Sequence, residues 1–476
     1  MYKRSLLVAV ISGLSLLSLL SLLSSVQATT HSPMVENLSQ AIRYQTVSHQ
    51  NLDAIDYDVF LDFHRFLENT YPLVHQHLKK TVIADYSLVY IWEGKDSSIP
   101  PVLFDAHYDV VPIEPGTEED WQHDPFAGVV AEGYLWGRGA LDDKASVIST
   151  FEAVESLLVD DYEPERTLVF SFGHDEEIGG NDGAANIASY LKKQGYDFEY
   201  VVGEGGLVVN GHPLLPGNPV AMIGLAEKNY VTLTLKASGD GGHSSMPVKN
   251  NAIVNLSKAL TTLHEKPFKA RLVKPVADML KEMGEHIGGI NGFMMRNQWL
   301  SKPILLSVMG DEKTSQSMVR TTTAVTMVNA GIKENVISQT AEAKVNFRLL
   351  PGTSVEQLIS DVKALIDDET IEIVAKGWKK GPPIADMTAP GYGHLKTAIN
   401  KVLPETVVVP GMLTATTDSP HYAPVSDNIY RFHPFTLHMK LVGSIHGTNE
   451  RISVDSINTA LELSKSLIRS SGNPGK

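Results

Sequence analysis

The chain contains no cysteine. That absence removes disulfides, thiolate metal ligands and cysteine nucleophiles together, so any metal must be held by histidine and carboxylate. A lipid-modified cysteine behind a leader is excluded on the same ground. Basic charge is also in short supply. Forty Lys and Arg face 55 Asp and Glu, for a net charge of −15, and loss of Lys3 and Arg4 would make it −17; this argues against nucleic acid as a partner. No internal repeat or low-complexity tract follows the first thirty or so residues. What is present is globular: 43% apolar and 20% charged residues fit neither disorder nor a multi-span membrane protein. At 476 residues the chain exceeds one ordinary core, so two domains of unequal size are expected.

The N-terminus differs from the rest. Lys3 and Arg4 precede a Leu/Ser-rich run from Leu6 to Leu23, which ends in Val26-Gln27-Ala28. A positive start, an apolar middle and a small-x-small end predict a signal peptide over residues 1–28, cleaved after Ala28. An uncleaved membrane anchor is the alternative, because the run approaches spanning length. Export of a cysteine-free chain suits a bacterial periplasm or secretion.

From Met34 to about Leu78 the spacing of Val59, Phe60, Phe63, Phe66 and Leu67 is helical. Short apolar runs then read as strands at Leu88–Trp92, Val102–Phe104, Leu168–Phe172 and Tyr200–Val202, with a helix over Ala145–Leu158. Strands alternating with helices predict an α/β sheet covered by helices. Near Lys228 the character changes. Tyr230–Ala237 and Ala343–Leu349 alternate apolar with polar residues, the pattern of a sheet with one open face. A smaller α+β unit is therefore expected over 228–380, inserted into a larger one over 34–227 and 381–470, with Gly381-Pro382-Pro383 marking the return. Residues 264–324, which include Gly284, Gly288, Gly289 and Gly292, read as a further insertion of helices and loops.

Several clusters could carry chemistry. His107 and Asp109 end an apolar strand, two residues apart, and a nearby carboxylate is a common orienter of a metal-bound imidazole. Asp142 follows Gly-Arg-Gly-Ala-Leu directly before a helix; its two oxygens suit two cations, although Asp is also a favoured helix cap. Asp175, Glu176 and Glu177 are consecutive acids between an apolar strand and Gly-Gly, where mutual repulsion calls for a cation unless the loop is simply solvated. Glu204 follows another strand end and His446 lies near the C-terminus. Together they place an acid or imidazole at successive strand ends, where open α/β sheets bind ligands.

The ordered set His107-x-Asp109, Gly-Arg-Gly-Ala-Leu-Asp142-Asp-Lys, Glu176-Glu177-x-Gly-Gly, Glu204-Gly, Gly-His243-Ser-Ser, Asn335-Val-Ile with Arg348 thirteen residues beyond Asn335, and His446-Gly-x-Asn-Glu resembles the di-zinc peptidase family of aminoacylase, carboxypeptidase G and succinyl-diaminopimelate desuccinylase. Trp121-Gln-His-Asp-Pro-Phe, the long insertion and Thr417-Asp418-Ser bring it nearest to the carboxypeptidase S and secreted N-acyl-amino-acid hydrolase branch. The resemblance implies a mixed-sheet catalytic domain and a lid and dimerisation domain. It implies two Zn²⁺, with Co²⁺ or Mn²⁺ able to use the same ligands: His107 and Glu204 on one ion, Glu177 and His446 on the other, and Asp142 bridging. It further implies Asp109 as orienter of His107 and Glu176 as general base. His243 would stabilise the oxyanion, in many relatives from the other subunit of a homodimer. Arg348, with Asn335 beside it, would take the substrate carboxylate, and a cis peptide would join Asp142 to Asp143.

The expected activity is that of an exported carboxypeptidase or dipeptidase releasing a C-terminal amino acid from a small peptide. An aminoacylase acting on N-acyl amino acids, its acyl pocket lined by insertion residues such as Phe293, Met294 and Met295, is the nearest alternative. A catalytically inactive peptide-binding protein is the third, which the presence of Glu176 argues against.

Overall fold

A computed structural model describes residues 31–312, 315–375 and 381–475, so the expected signal peptide lies outside the described residues. The helical N-terminal pattern is not one helix. It breaks into Pro33–Ile42, Tyr57–Thr70 and Pro72–His77. The Asp56 side chain accepts from Asp58 N and caps the second segment, while Pro72, with no N–H to donate, begins the third. Between the first two, Thr46 Oγ1 donates to Tyr108 O and Val47 bridges to Val110, which ties this segment beside the strand that carries His107. Phe60, Phe63, Phe66 and Leu67 are buried, as their spacing requires.

The large sheet has ten strands, mixed in direction. Nine follow the order Lys79–Ile83, Ser87–Trp92, Leu168–Gly173, Val102–His107, Tyr200–Gly203, Ile429–Arg431, Val220–Glu227, Val208–Asn210 and Thr436–His438; Val407–Leu413 lies parallel to Val220–Glu227. Four neighbours, Leu168–Gly173, Val102–His107, Tyr200–Gly203 and Ile429–Arg431, run parallel. Helix Lys144–Val159 and the C-terminal helix Val454–Gly472 pack together over the sheet's main core. The strands after residue 400 carry no expectation from periodicity. Val407–Leu413 is buried throughout, so it shows no alternation to read.

Asn229–Ser238 pairs antiparallel with Thr340–Leu349 in a separate four-stranded sheet, with Tyr230 opposite Arg348. Val231, Leu233, Leu235 and Ala237 point into a second core under helices Ala252–Glu265 and Val355–Ile366. The insertion packs elsewhere. Its helices Lys274–His286, Gly289–Arg296 and Gln298–Asp311 join a core shared with Val220, Val407, Val409 and Met412, at the side of the large sheet. Met295 is part of that core, whereas Phe293 is exposed. The last residues assigned to the insertion already belong to strand Thr322–Ala330, an outer strand of the smaller sheet.

His64 sits under the first helices with Nε2 2.8 Å from Tyr86 O and 3.0 Å from Tyr108 Oη. Burial pushes its pKa down to about 4. Because the folded value lies below the unfolded one, its contribution is complete above about pH 6.5 and is lost as the pH falls towards 4, about 3 kcal/mol in all. Thermal midpoints of His64→Gln should therefore fall less than those of the parent between pH 6.5 and pH 4; parallel curves would refute this account.

Candidate metal centre

The four parallel strands end at one crevice. Their C-terminal ends deliver His107, the Glu176–Ile178 turn, Glu204 and, from Ile429–Arg431, His433. His107 Nε2 lies 3.0 Å from Asp142 Oδ1, 3.4 Å from Glu204 Oε2 and 3.9 Å from Glu176 Oε2. His446 Nε2 lies 3.0 Å from Asp142 Oδ2 and 3.2 Å from Glu177 Oε2. Each oxygen of Asp142 thus faces a different imidazole.

Asp109 lies under the cluster. Its Oδ1 is 3.3 Å from His107 Nδ1, and its two oxygens accept from the backbone N–H groups of Glu176 and Glu177, each at 3.1 Å. Ser48 Oγ donates to it at 2.8 Å. One carboxylate therefore fixes both an imidazole and the turn that carries two acids. Past that turn, Gly180 has φ +62° and a Cβ there would come within 1.8 Å of Asp418 Oδ1, so only glycine lets the loop close over this buried acid.

His446 comes from far along the chain. The strand Arg451–Ser453 pairs with Tyr134–Trp136, and this small sheet lays the loop of His446 beside the loop of Asp142. Glu450 then locks the two. Its Oε1 accepts from Leu141 N at 2.8 Å and Asp142 N at 3.3 Å, its Oε2 pairs with Arg138 Nη1 at 2.6 Å, and Arg138 Nη2 donates to His446 O at 3.1 Å. The peptide from Asp142 to Asp143 is cis. Asp143 accepts from His107 N at 3.4 Å and lies 3.2 Å from His433 Nδ1.

The electrostatics favour a bound cation. Burial pushes Glu176 and Glu204 up, and lifts Glu177 to about 7 despite a hydrogen bond from His446. Burial also opposes the charge on Asp142, but hydrogen bonds from His107 and His446 override it and hold the group below the usual carboxylate range. Hydrogen bonds to Asp142 and Glu177 raise His446 to about 10. Glu177 Oε1 is buried without a hydrogen-bond partner. Three sets, His107/Asp142/Glu204, Asp142/Glu177/His446 and His107/Glu176/Glu177, bring their donor atoms within 4.8 Å of one another. The first two share Asp142 and use only nitrogen and oxygen, a donor set that fits zinc, cobalt or manganese.

The structure thus brings together His107, Asp109, Asp142, Glu176, Glu177, Glu204 and His446. It places the remaining three on the smaller unit. Arg348 donates to Thr416 Oγ1 at 3.0 Å and stacks 4.7 Å from the ring of Tyr230. His243 and Asn335 are exposed neighbours, with Ser244 N donating to Asn335 O, and neither bonds to the carboxylate cluster among the described residues. Arg138, Glu450, Ser48 and His433 were given no role from sequence. Arg138 and Glu450 stand inside the Gly-Arg-Gly and His-Gly-x-Asn-Glu motifs, so a signal existed; nothing near Ser48 or His433 marks them.

A family model for peptidase family M20/M25/M40 matches residues 103–470. The chain belongs to that family. It is 37% identical over 442 residues to a probable carboxypeptidase S-like 2 of Dictyostelium discoideum, covering 92% of this chain and 84% of the relative. It is 36% identical over 425 residues to the mouse N-fatty-acyl-amino acid synthase/hydrolase PM20D1, covering 88% and 84%. A solved M20 family metallo-carboxypeptidase from Sulfolobus solfataricus superposes with a TM-score of 0.67 at 17% identity, over 93% of this chain and 99% of that one, a likeness of fold. The protein is accordingly a metallopeptidase of the M20 family with a mixed α/β fold.

In this M20 enzyme the Arg138–Glu450 pair should govern metal affinity without touching the metal. Glu450→Gln is expected to weaken divalent-cation binding about 10–100-fold and to cost about 3–5 kcal/mol by leaving Arg138 buried and uncompensated. Titration calorimetry and melting of the metal-free protein check the two effects separately, and unchanged affinity would remove the assigned role.

Proposed function

We propose that the protein is an exported carboxypeptidase or dipeptidase that binds two zinc ions and releases an amino acid bearing a free carboxylate from a small peptide. The observation that carries this reading is the pair of donor sets sharing Asp142, with Glu176 at their edge. His107 and Glu204 would hold one ion, Glu177 and His446 the other, and Asp142 both. When bound, such ions supply Lewis-acid polarisation of the scissile carbonyl and lower the pKa of water.

The chain's own groups do the rest. Glu176 takes the proton of the attacking water and returns it to the leaving amine nitrogen; its burial, which pushes the carboxyl up, favours the proton-holding state between the two transfers. Asp109 keeps the Glu176 backbone and the His107 ring in place. Arg348, aimed by Thr416 and Tyr230, offers a planar fork to the substrate carboxylate, and Asn335 would assist it in binding the substrate. His243 Nδ1 accepts from Ser245 N at 3.1 Å, which leaves Nε2 to donate to the developing oxyanion. Its exposed position suits service to a second subunit, with the smaller unit forming a homodimer.

A second reading, hydrolysis of N-acyl amino acids, uses the same centre and draws support from the name of the mouse relative. A panel of dipeptides and N-acyl amino acids, with products read by mass spectrometry, separates the two. Glu176→Gln should lower kcat about 10²–10⁴-fold on whichever class is cut, with metal content unchanged. Full activity in that variant would sink the mechanism, and no turnover of either class would sink both readings.

A further inference from the structure

The insertion forms a helical hairpin whose outer face is apolar. Helix Gln298–Asp311 buries Ser301, Leu305 and Met309 against the side of the large sheet, yet its opposite face shows Leu300, Ile304 and Val308 at four-residue spacing. Trp299 beside them is 84% exposed. The preceding helix, Gly289–Arg296, adds Ile290 and Phe293, both exposed. A helix that is apolar all round belongs in a protein core or in lipid, and this one has only one side in a core. Nothing among the described residues covers the other side.

Charge says what would. Across residues 289–311 the charged residues are Arg296, Lys302 and, at the last helical position, Asp311, so this segment is net basic on a chain whose net charge is −15. A basic apolar patch on an acidic protein complements an anionic lipid surface. It does not complement itself, as a two-fold contact between copies would require. Tryptophan with lysine at its flank is also the composition of helices that lie in the membrane interface. No helix among the described residues is long and apolar enough to cross a membrane, so the hairpin would lie flat, along about 21 Å of helix.

We propose that the 289–311 hairpin docks the enzyme on anionic lipid surfaces, with Trp299, Leu300, Ile304 and Val308 entering the acyl boundary and Lys302 meeting the headgroups. The inference does not depend on which amide the enzyme cuts.

The test uses the full chain and vesicles carrying brominated acyl chains. One set is phosphatidylcholine with roughly one-third phosphatidylglycerol, and the other is phosphatidylcholine alone. Tryptophan fluorescence should be quenched by the first set, less by the second, and the quenching should vanish in Trp299→Phe. Leu300→Ser with Ile304→Ser should weaken vesicle binding at least about 30-fold at an unchanged thermal midpoint. Quenching independent of Trp299, or vesicle binding untouched by the double variant, overturns the proposal. So do a Trp299 already shielded before lipid is added and a dimer that the double variant splits, which would make the face a contact within the chain or between copies.

Discussion

The constraint on which this structure depends is the crowding of carboxylates at the crevice. Asp109, Asp142, Glu176, Glu177 and Glu204 converge on two imidazoles, His107 and His446. Like charges at such separations cannot all ionise without a compensating cation, and burial makes the conflict worse. A flexible scaffold would relieve it by moving apart. Parallel strand ends cannot, because their register fixes each Cα against its neighbour: His107 opposite Gly173, Phe104 opposite Val202. The repulsion is therefore held in place as an affinity for cations.

Only part of the cluster comes from the sheet. Asp142 and His446 sit on loops, and loops need their own restraint to hold a ligand at fixed distance. Glu450 provides it by gathering two backbone N–H groups and the Arg138 guanidinium into one buried site. Removing two charges from water is expensive, and such a pair rarely adds stability over apolar packing. Its return is geometric: the Asp142 amide and the His446 carbonyl are both referred to the same ion pair.

Much of this was legible in the sequence because the strand-end residues fall inside short motifs whose order matches the order of the strands. The strands Ser87–Trp92, Val102–His107, Leu168–Gly173 and Tyr200–Gly203 and the helix Lys144–Val159 were equally plain as apolar runs, whereas strands Lys79–Ile83, Val129–Ala131 and Tyr134–Trp136 and helix Ala184–Lys193 drew no expectation. Three further things were hidden. The break in the first helical stretch is made by the Asp56 cap and by contacts to Tyr108 and Val110, the latter being tertiary. Of the strands after residue 400, Val407–Leu413 and Ile429–Arg431 are buried throughout and carry no period, and Thr436–His438 and Arg451–Ser453 are too short to show one. The placement of the insertion was hidden too, because Met295 and Phe293 look alike in sequence and only the fold turns one into the core and leaves the other outside.

The link between the two units follows from the same logic of buried, satisfied charge. Glu227 ends the strand that leads into the smaller unit, and it accepts from Arg431 Nε at 2.8 Å and from Thr417 Oγ1 at 2.8 Å. Lys228, the next residue, donates to Ser317 O at 3.0 Å and Arg320 O at 2.9 Å at the foot of the insertion. Thr416, adjacent to Thr417, holds Arg348. The crossing point is thus pinned by two adjacent residues of opposite charge, each facing a different unit. Because Arg348 and Glu227 meet the same short loop through Thr416 and Thr417, the position of the guanidinium is set by the catalytic unit as well as by its own strand. A carboxylate bound there would be held at a distance from Asp142 that the Thr416–Thr417 loop, as well as the smaller sheet, determines.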